Sequence, residues 1–286
     1  MPRVRLGVVL VVPPPFADRI DGLRAAFGDP ALDQVMPHIT LVPPVNVHER
    51  DLPAALAVLR AAAGAARALD LQLGPIRVFP GVEHVAFLAV DGDSGELERL
   101  RRLRMAVLQP PLERPLDHDF VPHVTVTQGI ESSRLAAVLH AAPGLDPMAV
   151  RFDRVHLLCE RHPISGRVWR PIADVLLAPP VIVGRGGLPL ELTPSELIDP
   201  EAATAMDEPP FTPLADRSGV VEGPTGVHPL VVTARREGRV VAVAHGWTAG
   251  PVAELVGDWL RLPGADLARH LHSAWDSAAA ERGAIS

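Results

Sequence analysis

The sequence predicts an α+β chain: a first domain, residues 1–178, in which one set of elements occurs twice, and a smaller α/β domain, residues 179–286. Three observations predict it. The stretch "VMPHITLVPP" (Val35–Pro44) returns as "FVPHVTVTQG" (Phe120–Gly129), each with Pro before a His and Thr two residues after it. Runs of strand and helix periodicity alternate through the first 178 residues in an order that repeats. At "APPVIVGRGGLPL" (Ala178–Leu190), paired prolines and three glycines break the pattern, as a domain boundary does.

Taken in order, Val4 to Val12 reads as a buried strand closed by Pro13–Pro15. Ile20, Leu23 and Phe27 recur at helical spacing up to Gly28, and the first His phrase follows as a strand. Leu52, Leu56 and Leu59 mark a second helix, after which Leu71–Phe79 and His84–Val90 are β-like. These six elements form one half. A third helix, "SGELERLRRLRMAVL", sets Leu97, Leu100 and Val107 on one face, and the second His phrase follows it. Ser132 caps a fourth helix through Leu139. Val150, Phe152, Val155 and Leu157 make one further strand, and Val168–Leu177 the last.

Charge and composition narrow the function. The formal net charge is −7 and every basic side chain is Arg, so the chain lacks the basic surplus that sequence-blind nucleic-acid binding requires. From residue 179 onward there are 8 Arg against 14 acids, with 19 against 20 before it, so phosphate chemistry is expected in the first domain. The single cysteine, Cys159 in "VHLLC", reads as a buried, inert thiol in a protein of the reducing cytoplasm. The N-terminal run Leu6–Val12 is short for a signal peptide, and no apolar stretch reaches membrane-spanning length, so no membrane partner is expected.

On a strand, residues two apart face the same side, so His38 points with Thr40, and His123 with Thr125. If the two copies pack about a pseudo-twofold axis, two imidazoles and two hydroxyls converge. That set suits in-line displacement at a phosphodiester. One imidazole takes a proton from the attacking oxygen, the other gives one to the leaving oxygen, and the hydroxyls donate to the non-bridging oxygens. No metal, cofactor or covalent nucleophile is needed. Among other candidates, "DHD" (Asp117–Asp119) cannot turn three successive side chains toward one ion, and His270 and His272 lie on different helix faces. His84 and His156 read as core or rim, and "GRGG" (Gly184–Gly187) as linker.

"PHITL" and "PHVTV", so spaced within a duplicated α/β chain, resemble the paired HxT motifs of the 2H phosphoesterases, which include the bacterial 2′-5′ RNA ligase and 2′,3′-cyclic phosphodiesterase proteins. The resemblance covers residues 1–178. It implies a bilobal fold with a central cleft, and metal-independent opening of 2′,3′-cyclic phosphates to 2′-phosphomonoesters, with reversible 2′-5′ ligation in some members. It makes His38 and His123 the acid/base pair and Thr40 and Thr125 the phosphate clamps. The partner it implies is a nucleotide or RNA terminus carrying a cyclic phosphate; the alternative is a non-catalytic module binding such ends. Where many relatives place Arg soon after the Thr, this chain continues "LVPP" and "VTQG".

In the second domain "PLVVTARREGRVVAVAHGW" (Pro229–Trp247) is a hairpin around Arg236, Glu237 and Gly238, followed by a strand at Val252–Leu260 and a helix from about Ala265 to Arg282. This order resembles the middle of a GNAT acetyltransferase domain. The loop that would cradle coenzyme A reads "RLPGADLARHL", which keeps Gly264 and loses the rest of the Arg/Gly pattern, so coenzyme A is not an expected partner.

Overall fold

The computed structural model describes residues 2–79, 84–115, 118–130, 146–162, 166–183, 189–207, 227–261 and 265–284. It divides into two compact units, Met1–Pro171 and Ile172–Ser286.

In the first unit, β1 (Arg3–Val11), α1 (Phe16–Phe27) and β2 (His38–His48) are followed by α2 (Leu52–Gly64), β3 (Leu69–Phe79), β4 (His84–Asp91), α3 (Ser94–Val107) and β5 (His123–Ile130). Then come β6 (Met148–Phe152), β7 (Arg154–Arg161) and β8 (Val168–Leu176), within which the division between the units falls. The sheet order is β6-β3-β4-β5-β2-β1-β7-β8. From the β5–β2 seam outward the order is β4, β3, β6 on one side and β1, β7, β8 on the other. The molecule is richer in sheet than in helix.

Two expectations are corrected by this order. The run from Val150 to Leu157 is not one strand: β6 pairs with β3 at one edge, and β7 pairs with β1 on the far side of the seam. Phe152 and Val155 are three residues apart, which breaks the two-residue alternation, and the chain leaves one side for the other at Asp153. The two copies are also not consecutive halves. β3 joins β4, while β1 and β2 are completed by β7 and β8 from much later in the sequence. Periodicity identifies the element and is silent about its partner.

One face of this sheet is dry. Ile76, Leu88, Val124, Ile39 and Leu10 are matched across β3, β4, β5, β2 and β1, and none is more than 6% exposed. Burying each such aliphatic contributes about 1.5–3 kcal/mol. Helix α1 packs on β5 and α3 on β2, bringing Ile20 and Leu100, Leu103 and Val107 to the core. Asp93 caps α3 by accepting a hydrogen bond from the Glu96 amide at 2.8 Å. Helix α1 runs up to Gly28 as the spacing of Ile20, Leu23 and Phe27 predicts, and its buried residues are Ile20 and Arg24. The helix predicted from Ser132 to Leu139 lies outside the described residues.

The second unit holds β9 (Val181–Val183), β10 (Leu190–Ser195), α4 (Pro200–Asp207), β11 (His228–Arg236), β12 (Arg239–Ala249), β13 (Val252–Leu260) and α5 (Ala265–Glu281). Its sheet is antiparallel in the order β13-β12-β11-β10-β9. The β11–β12 hairpin turns at Glu237 and Gly238, both with positive φ, as a two-residue primed turn requires. Leu271, Trp275 and Ala279 of α5 pack on Leu230, Val232 and Ala244, while Ala202 and Met206 of α4 pack with Val231, Val243 and Trp259. Gly184–Gly187 and the Gly264 loop lie outside the described residues.

Candidate active site

The two His phrases meet at the centre of the first sheet. β2 and β5 are antiparallel and matched at Ile39 and Val124, whose side chains are fully buried. Continuing that register sets His38 across from Thr125 and Thr40 across from His123, all four on the face opposite the dry one and all half-buried. The imidazoles are diagonal neighbours, with Cβ atoms about 7 Å apart. A threonine hydroxyl stands across from each ring.

The prolines explain why the phrase reads Pro-His. Each restricts the residue before it to extended backbone, and that residue's carbonyl then meets the imidazole. His38 Nδ1 lies 2.7 Å from the Met36 oxygen and His123 Nδ1 lies 2.8 Å from the Val121 oxygen. A carbonyl only accepts, so Nδ1 carries the hydrogen in both rings and Nε2 is left for chemistry. The proline carbonyls are matched as well: Pro37 accepts from the Val12 amide at 3.0 Å and Pro122 from the Val90 amide at 3.3 Å.

Beyond this shared frame the two rings differ. Arg24, 2% exposed, donates to Asp29 at 2.8 Å, to Asp21 at 2.7 Å, and to the carbonyls of Ala31 at 2.7 Å and Val35 at 2.9 Å. It thereby fixes the loop that delivers Met36, Pro37 and His38. Burial pushes the His38 pKa below its ordinary value; the charges of Arg24 and His123 add to this, against the opposing Met36 hydrogen bond. His123 stands against an aromatic wall. Phe79 and Phe87 stack at 4.0 Å between centroids, and the His123 ring meets them edge-on at 5.1 and 5.4 Å.

Sequence reasoning missed Arg24, Phe79 and Phe87. An Arg on an amphipathic helix reads as solvated, although "RAAFGD" places Asp29 at a distance suited to a helix-end pair. The "IRVF" alternation at Ile76–Phe79 did signal that Arg77 and Phe79 share a face. His156 of β7 lies opposite Val9, which lies opposite Thr40, so it shares the site's face at 9% exposure. His84 starts β4 opposite Ile130, at the outer end of that strand. His118 and Asp119 are exposed, and Asp117 lies outside the described residues. His272 bonds Asp258 at 2.7 Å in the second unit. Cys159 is a buried free thiol whose pKa burial pushes up. Among the described residues no group of three His, Cys, Asp or Glu is placed to hold a metal, and no helix is long and apolar enough to cross a membrane.

Residues 12–162, which hold all four groups and their supports, match the family model described as the 2′-5′ RNA ligase superfamily. A protein of Bacillus cytotoxicus named as a candidate phosphoesterase is 28% identical over 167 residues, 58% of this chain and 92% of that one. One of Bacillus cereus strain G9842, similarly named, is 30% identical over 156 residues, 54% of this chain and 88% of its own. Among solved structures, a Thermus thermophilus protein aligns at 19% identity and a TM-score of 0.41 over 60% of this chain and 97% of that one. Escherichia coli LigT complexed with 3′-AMP aligns at 15% and 0.40 over 62% and 98%. The chain carries the doubled motif on neighbouring strands and matches the family model across it: it belongs to the 2′-5′ RNA ligase superfamily.

Proposed function

We propose that residues 1–178 form a cyclic phosphodiesterase that opens 2′,3′-cyclic phosphates at RNA ends or on small nucleotides by two-histidine acid/base catalysis. The superfamily and the names of the relatives support a phosphoesterase-type function. The observation that supports the finer reading is the Ile39–Val124 register, which brings two Nδ1-protonated imidazoles and two hydroxyls to one face of neighbouring strands.

The surroundings divide the roles. His38, whose pKa is lowered by burial first and by the Arg24 charge after it, favours its neutral form and serves as the base. His123, beside the edges of the stacked Phe79 and Phe87 rings, takes the complementary role and serves as the acid. Water gives its proton to His38 Nε2 as its oxygen bonds to phosphorus. The bond from phosphorus to O3′ breaks, and O3′ takes the proton from His123 Nε2. The products are a 2′-phosphate and a free 3′-hydroxyl. Thr40 and Thr125 donate to the non-bridging oxygens, whose charge grows in the transition state. A 5′-hydroxyl of a second RNA in place of water gives a 2′-5′ linkage by the same steps. No metal or cofactor takes part in this reading.

The test is incubation of the protein, with EDTA, with a 2′,3′-cyclic nucleotide and a cyclic-phosphate-ended RNA. The 2′-phosphate isomer is the expected product; no turnover of either substrate would leave a module that only binds such ends. For the second unit we read the order from β11 to α5 as a GNAT-like core that has lost its coenzyme A loop. Calorimetry with acetyl-coenzyme A is expected to show nothing tighter than about millimolar, since acidic surroundings oppose a polyanion. Micromolar binding would overturn that reading.

A further inference from the structure

We propose that Arg77 and Phe79 of β3 form a second subsite beside the histidine pair, which takes the base and 5′-phosphate of a nucleotide. The protein then selects a cyclic-phosphate nucleotide carrying a 5′-phosphoryl group over the bare nucleoside cyclic phosphate. The inference rests on the reading that the histidine groove takes the cyclic phosphate.

Register places the subsite. Thr125 lies opposite Phe87 and Phe87 opposite Arg77, so the three share one row on the site's face. The neighbouring row, Val124, Leu88 and Ile76, is buried on the other face, which fixes the parity. Arg77 is two strands from Thr125, about 9–10 Å between backbones, a gap that an extended arginine largely spans. It is exposed, and among the described residues it has no ion-pair partner. Phe79, two residues on, is half-buried; its ring stacks on Phe87 and meets His123 at 5.1 Å. An arginine fork and a flat ring next to a phosphate site match a nucleotide's second phosphate and its base.

The opposite side of the seam has no such pair. The positions equivalent to Phe87 and Arg77 are Val9 and His156, at 3% and 9% exposure. The nucleoside therefore lies on the His123 side, where its O3′ leaves against the acid, and water enters from the His38 side. In-line displacement requires that arrangement.

The experiment compares adenosine 2′,5′-bisphosphate with adenosine 2′-monophosphate by calorimetry, on the wild type and on Arg77→Gln. The wild type is expected to bind the bisphosphate at least tenfold more tightly. Arg77→Gln should bring the two within about twofold and leave monophosphate affinity nearly unchanged. Equal wild-type affinities, or a preference that survives Arg77→Gln, would overturn the subsite. Turnover of adenosine 2′,3′-cyclic phosphate separates this inference from the one beneath it. Turnover without discrimination removes the subsite alone, whereas discrimination without turnover keeps the subsite and removes the phosphoesterase reading. A dinucleotide ending in a cyclic phosphate and a 5′-pyrophosphorylated mononucleotide cyclic phosphate then tell an RNA end from a small nucleotide. The source is the one whose kcat/KM falls about tenfold in Arg77→Gln, and no fall in either overturns the subsite.

Discussion

His38 and His123 sit in the same phrase, on matched strands, with the same Nδ1 bond to a carbonyl two residues back, and they are not surrounded alike. Behind His38 is a buried, fully engaged arginine that pins a loop. Behind His123 are two stacked phenyl rings. The repeated residues set geometry, and the unrepeated surroundings, burial first and then the Arg24 charge, lower the His38 pKa. A duplicated site can thus perform an asymmetric reaction, because a base and an acid need the same placement and opposite charge states.

The largest expected effect lies on the Arg24 side. Arg24→Met leaves the Asp29 carboxylate, 1% exposed, without its guanidinium and should cost about 3–5 kcal/mol in chemical denaturation. Phe79→Leu, on the other side, replaces a half-buried ring and should cost less than half as much. Equal losses would mean that the two supports are interchangeable.

Next in size are the histidines. His38→Ala or His123→Ala should each lower turnover about a hundredfold or more, the scale for a positioned proton-transfer group. The pH dependence sharpens the comparison. The wild-type rate should be bell-shaped, with the acid-side limb set by His38 and displaced below the ordinary histidine value. The His38 variant should lose that limb. A His38 variant that keeps it would remove His38 from the role of base.

The sequence made the shared half of the site legible and the unshared half not. Strand parity and the Pro-His-x-Thr spacing were enough to put four side chains on one face, since both are local properties. Glu237-Gly238 likewise announced its hairpin. Partners were the obstacle. Nothing near Val150–Leu157 says that β6 and β7 end up on opposite sides of the seam, because that depends on which distant strand each meets. Arg24 was hidden for a related reason. Its burial is stabilised by Asp29 and by the carbonyls of Ala31 and Val35, acceptors supplied only once the loop has folded over it.

The threonines should show a smaller effect and a symmetric one. Thr40→Val and Thr125→Val each remove one hydrogen bond to the phosphate and no proton transfer, worth about 1–3 kcal/mol in the barrier. Single-turnover rates measure it. A Thr125 variant as damaged as the His variants would indicate a role in ordering His38, across from which it sits.

The smallest effect tests His38 through stability. Its folded pKa lies below the unfolded value of 6.5, chiefly because burial penalises the charged ring, with Arg24 and His123 adding repulsion and the Met36 carbonyl opposing them. At pH above 6.5 the ring is neutral in both states and contributes nothing to the difference. As pH falls below 6.5, the unfolded chain takes up a proton that the folded chain resists, so stability declines, and the decline levels off once the folded ring is protonated too. His38→Asn keeps a donor for the Met36 carbonyl and removes the titration. Urea midpoints measured from pH 8 to pH 5 should therefore fall less in His38→Asn than in the wild type. Parallel falls would show that His38 is charged as readily in the folded protein as in the unfolded chain, and would remove the basis for making it the base.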